Sequence, residues 1–61
     1  MDSRVRHKIV STWAYNRSEI RKQQRIAGTR EDDWAYAEHM LDDDIRINGE
    51  AYLIEAYSHD E

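Results

Sequence analysis

The sequence predicts an all-α fold: an antiparallel helical hairpin over about residues 4–27 and 30–46, followed by a short third helix. Three observations carry this expectation. Apolar residues recur at helical spacing in both halves of the chain. A stop-and-start signal separates the halves at Ala27-Gly28-Thr29-Arg30-Glu31-Asp32. Proline is absent throughout.

In the first element, Val5, Ile9, Trp13, Ile20 and Ala27 fall in one stripe at about 100° per residue, whereas Arg4, Arg6, Lys8, Arg17, Arg21, Lys22 and Arg25 fall outside it. This is an amphipathic helix with a basic outer face. Asn16, Gln23 and Gln24 interrupt the stripe. A break into two helices at Asn16-Arg17-Ser18 is the alternative, but Ser18 with Arg21 makes a poor capping box, which favours continuity. In the connection, Gly28 suits the left-handed position just past a helix, and Thr29 suits an N-cap with Asp32 completing its box.

In the second element, Trp34, Ala37, Leu41 and Ile45 stand at i, i+3, i+7 and i+11. Glu31, Asp32 and Asp33 occupy its first turn, where the helix dipole favours negative charge. Trp13 and Trp34 are the largest residues of their seams. They are expected to face one another, or to share a cluster with Ile9, Ile20, Leu41 and Ile45. Residues 45–57 read two ways: as a third helix with Asn48 as its N-cap, or as a β-hairpin around Asn48-Gly49. An isolated two-stranded hairpin is marginal in water, and nothing else reads as strand, so the helix is preferred.

Sixty-one residues allow one small domain, with no cysteine for a disulfide or a thiolate metal site. Two Leu, six Ile, two Val and no Phe make ten residues of 61, under the roughly 20% at which disorder becomes an alternative. Two Trp and four Tyr argue for folding. The net charge of −4 conceals a strong polarity. Residues 1–30 hold eight basic and two acidic side chains, a sum of +6, and residues 31–61 hold one basic and eleven acidic, a sum of −10.

These features disfavour several functions. A chain of this size has little interior for a catalytic pocket, two glycines cannot build a phosphate-binding loop, and its serines lie in no nucleophile motif. No cofactor is expected. His39 with Asp42 or Asp43, and His59-Asp60-Glu61, have permissive metal spacing, but a solvated acidic face explains them better. The amino terminus lacks an apolar run of signal-peptide length and no segment reaches membrane-spanning length, so a cytoplasmic protein without membrane contact is expected.

What remains is binding. Tyr36 and Met40 lie off the seam of the second helix and need another partner. With the carboxylates Glu31, Asp32, Glu38, Asp42, Asp43 and Asp44 they form the expected contact surface for a larger protein. The reading is a non-enzymatic acidic regulator or inhibitor, of a type phages use, with carboxylates imitating a phosphate backbone in the basic groove of a nucleic-acid enzyme. Two alternatives stand beside it. Arg17, Arg21, Lys22 and Arg25, with Trp13 and Tyr15 nearby, would form a nucleic-acid surface, opposed by the acidic half. The chain would otherwise be an accessory subunit or a homodimer in which the basic helix of one copy meets the acidic helix of another.

Overall fold

The computed structural model describes residues 1–58 and shows three helices: α1 (Ser3–Gln24), α2 (Arg30–Asn48) and α3 (Ala51–Tyr57). α1 and α2 pack as a hairpin, and the short α3 lies against α1. No strand occurs among the described residues, so the β-hairpin alternative around Asn48-Gly49 is not adopted.

α1 and α2 each begin on a side-chain cap. Asp2, in extended conformation, accepts a hydrogen bond from the Arg4 amide at 2.8 Å. Thr29 and Asp32 form the expected capping box: the Asp32 amide donates to the Thr29 hydroxyl at 3.2 Å, and the Thr29 amide to the Asp32 carboxylate at 3.1 Å. Glu31, Asp32 and Asp33 then sit in the first turn of α2 and Arg21 and Lys22 in the last turn of α1, both favourable to the helix dipoles.

The end of α1 differs from expectation. The helix stops at Gln24 rather than near Ala27, and the left-handed residue is Arg25 (φ 58°, ψ 38°), not Gly28. The Ile26 amide donates to the Arg21 carbonyl at 2.9 Å and the Arg25 amide to Lys22 at 3.2 Å, the two bonds of a Schellman motif. Gly28 serves a different need. A Cβ there would stand 3.0 Å from Cδ of Arg21, so the missing side chain leaves room for the Arg21 side chain to cross the connection.

The junction of α2 and α3 also differs in detail. Asn48 is the last residue of α2 and donates to Asp44 at 2.6 Å instead of capping α3, and Glu50 takes the N-cap position without a side-chain bond. Gly49 turns the chain at φ 81°, where a side chain would be strained.

The core consists of Ile9, Val10 and Ala14 from α1, Ala37 and Leu41 from α2, and Leu53 from α3. Val5, Trp13, Trp34, Ile45 and Tyr57 are partly buried against it. Trp13 and Trp34 share that cluster with Ile9, Leu41 and Ile45, the second of the two arrangements expected of them, while Ile20 stays outside it. Trp13 donates from Nε1 to the Tyr57 hydroxyl at 3.0 Å, whereas Trp34 tilts against His7 with ring centroids 5.3 Å apart. Small side chains, Ala14 and Ala37, occupy the buried positions and let the helices approach, which leaves the indoles at the flanks of the seam. Ile20 is 46% exposed and Ala27 lies outside the helix, because the buried stripe of α1 turns toward Val10 and Ala14.

α3 is tied to α1 at both ends. The Met1 ammonium pairs with Glu50 at 3.2 Å, and Lys8 Nζ donates to the Tyr57 carbonyl at 3.2 Å. Leu53, 3% exposed, supplies its apolar anchor.

Candidate binding surfaces

The connection between α1 and α2 is organised by Arg21 and Asp33. Arg21 Nε and Nη2 meet the two Asp33 oxygens at 3.1 and 3.0 Å, and Nη1 reaches the Ile26 carbonyl at 3.4 Å. Asp33 is 3% exposed and its guanidinium partner is largely covered. A planar fork matched to a carboxylate is the arrangement in which an ion pair best satisfies its own donors. The hydrogen bond from Arg21 holds the Asp33 carboxyl below the usual carboxylate range against the opposing effect of burial, and the same bond raises Arg21.

On one face of the hairpin, Trp13, Asn16, Arg17 and Ile20 of α1 and Tyr36, Ala37 and Met40 of α2 line an open groove of about 200 Å³. Ile20, Tyr36 and Met40 are each close to half exposed around it. The Arg17 guanidinium lies over the Tyr36 ring, 4.2 Å from its centroid, in a cation–π contact that fixes the ring at the rim. The groove begins where α3 ends, since Trp13 both lines it and donates to Tyr57. Its volume is below the ~300–1,000 Å³ usual for small-molecule pockets, and suits one or two apolar side chains instead.

The opposite face differs in character. Ser11, Ala14, Tyr15, Ser18 and Lys22 of α1 and Arg30, Asp33 and Trp34 of α2 border a cleft of about 280 Å³, larger than the groove, and Ser3, Arg6, His7, Val10, Trp34 and Glu38 border a second of about 200 Å³. Trp34 belongs to both and separates them, with His7 against its ring.

Of the residues expected to meet a partner, Tyr36 and Met40 come together at the groove. The carboxylates do not form one free surface. Asp32 caps α2, Asp42 pairs with Arg6 at 3.0 Å, and Asp43 pairs with Arg46 at 3.4 Å. Asp44 accepts from both Asn48 and the Tyr52 hydroxyl; these bonds lower its pKa, and the Tyr52 bond raises that of the phenol. Glu31 and Glu38 make no ion pair among the described residues.

The alternative basic set is dispersed as well: Arg17 on Tyr36, Arg21 on Asp33, Lys22 beside Glu19 at 3.6 Å, and Arg25 at the helix end. His39 joins no group of three metal-ligating side chains among the described residues, and His59, Asp60 and Glu61 lie outside them. Sequence reasoning missed Trp13, Arg17 and Ile20 as groove residues. Their signal was the break in the α1 stripe at Asn16, which marks where that helix ceases to face its own core.

Compared with known proteins, the chain matches no family model, no curated protein and no solved structure. No helix of the described residues is long and apolar enough to cross a membrane.

Proposed function

We propose that this chain acts by contact, as a small non-enzymatic regulator or inhibitor whose groove takes apolar side chains from a helix of a larger protein. The observation that carries the reading is the groove itself: Ile20, Tyr36 and Met40 stay about half exposed around it, and Trp13, which lines it, donates to Tyr57 at the end of α3. Aromatic and thioether side chains around a shallow apolar depression are the common anchors of protein interfaces. A partner helix would extend the layer that α3 starts.

The narrower version, in which the carboxylates imitate a phosphate backbone, draws less support because Asp32, Asp42, Asp43 and Asp44 already serve the fold. Direct nucleic-acid binding loses Arg17 and Arg21 in the same way.

The experiment is site-specific photo-crosslinking in the native host, with the crosslinker in place of Met40 and, as a comparison, in place of Tyr15. The reading expects a distinct protein adduct from position 40, mapped by mass spectrometry to a helical segment and abolished by Tyr36→Ala in an otherwise folded chain. Adducts only to nucleic acid, or none that depend on Tyr36, refute it.

A further inference from the structure

We infer that the partner helix seated in the groove is acidic at one fixed place: it carries an aspartate or glutamate one helical turn from the apolar side chain that enters, and this carboxylate meets Arg17. The inference rests on the reading of the groove as a docking site for a helix.

Arg17 is the one charged residue in the lining of the groove among the described residues, and it is partly buried there. The Tyr36 ring beneath it attracts the charge, but a ring face is no conventional acceptor for the five N–H donors of a guanidinium. The Arg17 side chain makes no ion pair and no hydrogen bond among the described residues.

The carboxylates of the hairpin near this place are already engaged. On α1, the residues three and four positions from Arg17 are Trp13, Ala14, Ile20 and Arg21, none of them acidic. On α2, the residues three and four positions before Tyr36 are Asp33 and Asp32. Asp33 gives both oxygens to Arg21, and Asp32 closes the capping box with Thr29. The charge of Arg17 helps to lower the Asp33 pKa, but no bond joins the two. Past Met40, at three and four positions, Asp43 and Asp44 are held by Arg46 and by Asn48 and Tyr52.

Docking decides what the partner must bring. A helix laid in the groove covers Arg17, and covering a guanidinium that has no counter-charge is costly. A wholly apolar segment incurs that cost in full, and a basic one adds a second cation beside the first. A carboxylate removes it, forming a charge-assisted pair with a donor fork that the Tyr36 ring already holds in place. The spacing follows from α2. Tyr36, under Arg17, and Met40, at the groove, are four residues apart, about 6 Å along the axis at 1.5 Å per residue. A partner helix running along the groove covers the same distance between positions i and i+3 or i+4.

The test starts from the crosslink at Met40. The segment captured in the native host is mapped, synthesised as a peptide and titrated against the full chain by fluorescence anisotropy. It is expected to hold Asp or Glu three or four positions from the crosslinked residue. Arg17→Gln should weaken peptide binding at least about tenfold, the usual scale of a charge-assisted pair. Exchanging that carboxylate for its amide in the peptide should weaken binding to the wild type equally, and the two changes together should cost little more than either alone. The peptide change leaves the chain intact, so this arm reads the pair even where Arg17→Gln disturbs the Tyr36 ring. A captured segment with no carboxylate at that spacing overturns the inference. So does an affinity that moves less than about twofold with the peptide change; if Tyr36→Ala still abolishes binding, the docking reading then stands without it. No Tyr36-dependent adduct overturns both.

Discussion

Leu41→Ala and Ile20→Ala, compared side by side, test whether the apolar seam of α1 runs where the structure puts it. Periodicity places both residues in the core, but Leu41 is 0% exposed and Ile20 is 46% exposed. Truncating a fully buried leucine removes its transfer free energy and leaves a cavity, at a combined cost of about 2–5 kcal/mol. At roughly 0.05–0.15 kcal/mol per residue, a chain of this length has on the order of 3–9 kcal/mol in total. Leu41→Ala should therefore consume from about a fifth of the stability to all of it, and leave a lowered or absent unfolding transition. Ile20 already leaves nearly half its surface in water, and its loss should cost about 1 kcal/mol or less. Urea unfolding followed by far-ultraviolet circular dichroism, at one protein concentration for all three chains, measures both. Equal losses would refute the reasoning: Ile20 would then be a core residue and the groove it borders would not exist as drawn.

Arg25→Gly should stabilise the chain by about 1 kcal/mol, seen as a higher melting temperature, because glycine adopts the left-handed conformation at the end of α1 without the Cβ clash that arginine carries. Asp33→Asn should destabilise at neutral pH, with a difference from wild type that closes in acid. The folded-state pKa of Asp33 is depressed, so its contribution is complete above the unfolded value near ~3.9 and lost as pH falls through the folded one. Thermal melts of both chains between about pH 7 and pH 2 check this, and a constant gap would mean that the Arg21 bond is not the cause.

The hairpin was legible because each of its boundaries is written in local chemistry. Thr29 with Asp32 can hardly be read except as a capping box, and Trp34-Ala37-Leu41-Ile45 repeats at a spacing only a helix turns into one side. The wheel was less informative on α1, where it averages over the length of the helix. Val5, Ile9 and Trp13 set a direction that Ile20 shares on paper, while the buried positions of α1 besides Ile9 are Val10 and Ala14, which lie off that stripe. Size and spacing place Trp13 and Trp34 in the core cluster but do not say which polar or aromatic group each ring meets. Their partners, Tyr57 and His7, lie 44 and 27 positions away in the chain, and no local pattern encodes such contacts. Gly28 misled for a related reason: a glycine near a helix end usually supplies a positive φ, but here it supplies space for a side chain seven residues earlier.

Arg21 and Asp33 show how the polarised charge of the chain acts on its fold. A surface ion pair contributes little, and Lys22 with Glu19 or Arg46 with Asp43 are pairs of that kind. The Arg21–Asp33 fork is different because Asp33 is covered. With Arg21 removed, a carboxylate would be left buried without its counter-ion, so any packing that separates the two is penalised. That penalty selects one pairing of the helices: α1 must end three residues past Arg21, the connection must fold back over its side chain, and α2 must start with Asp33 turned inward. Charge placed in the two halves of the chain thus fixes the register of the hairpin.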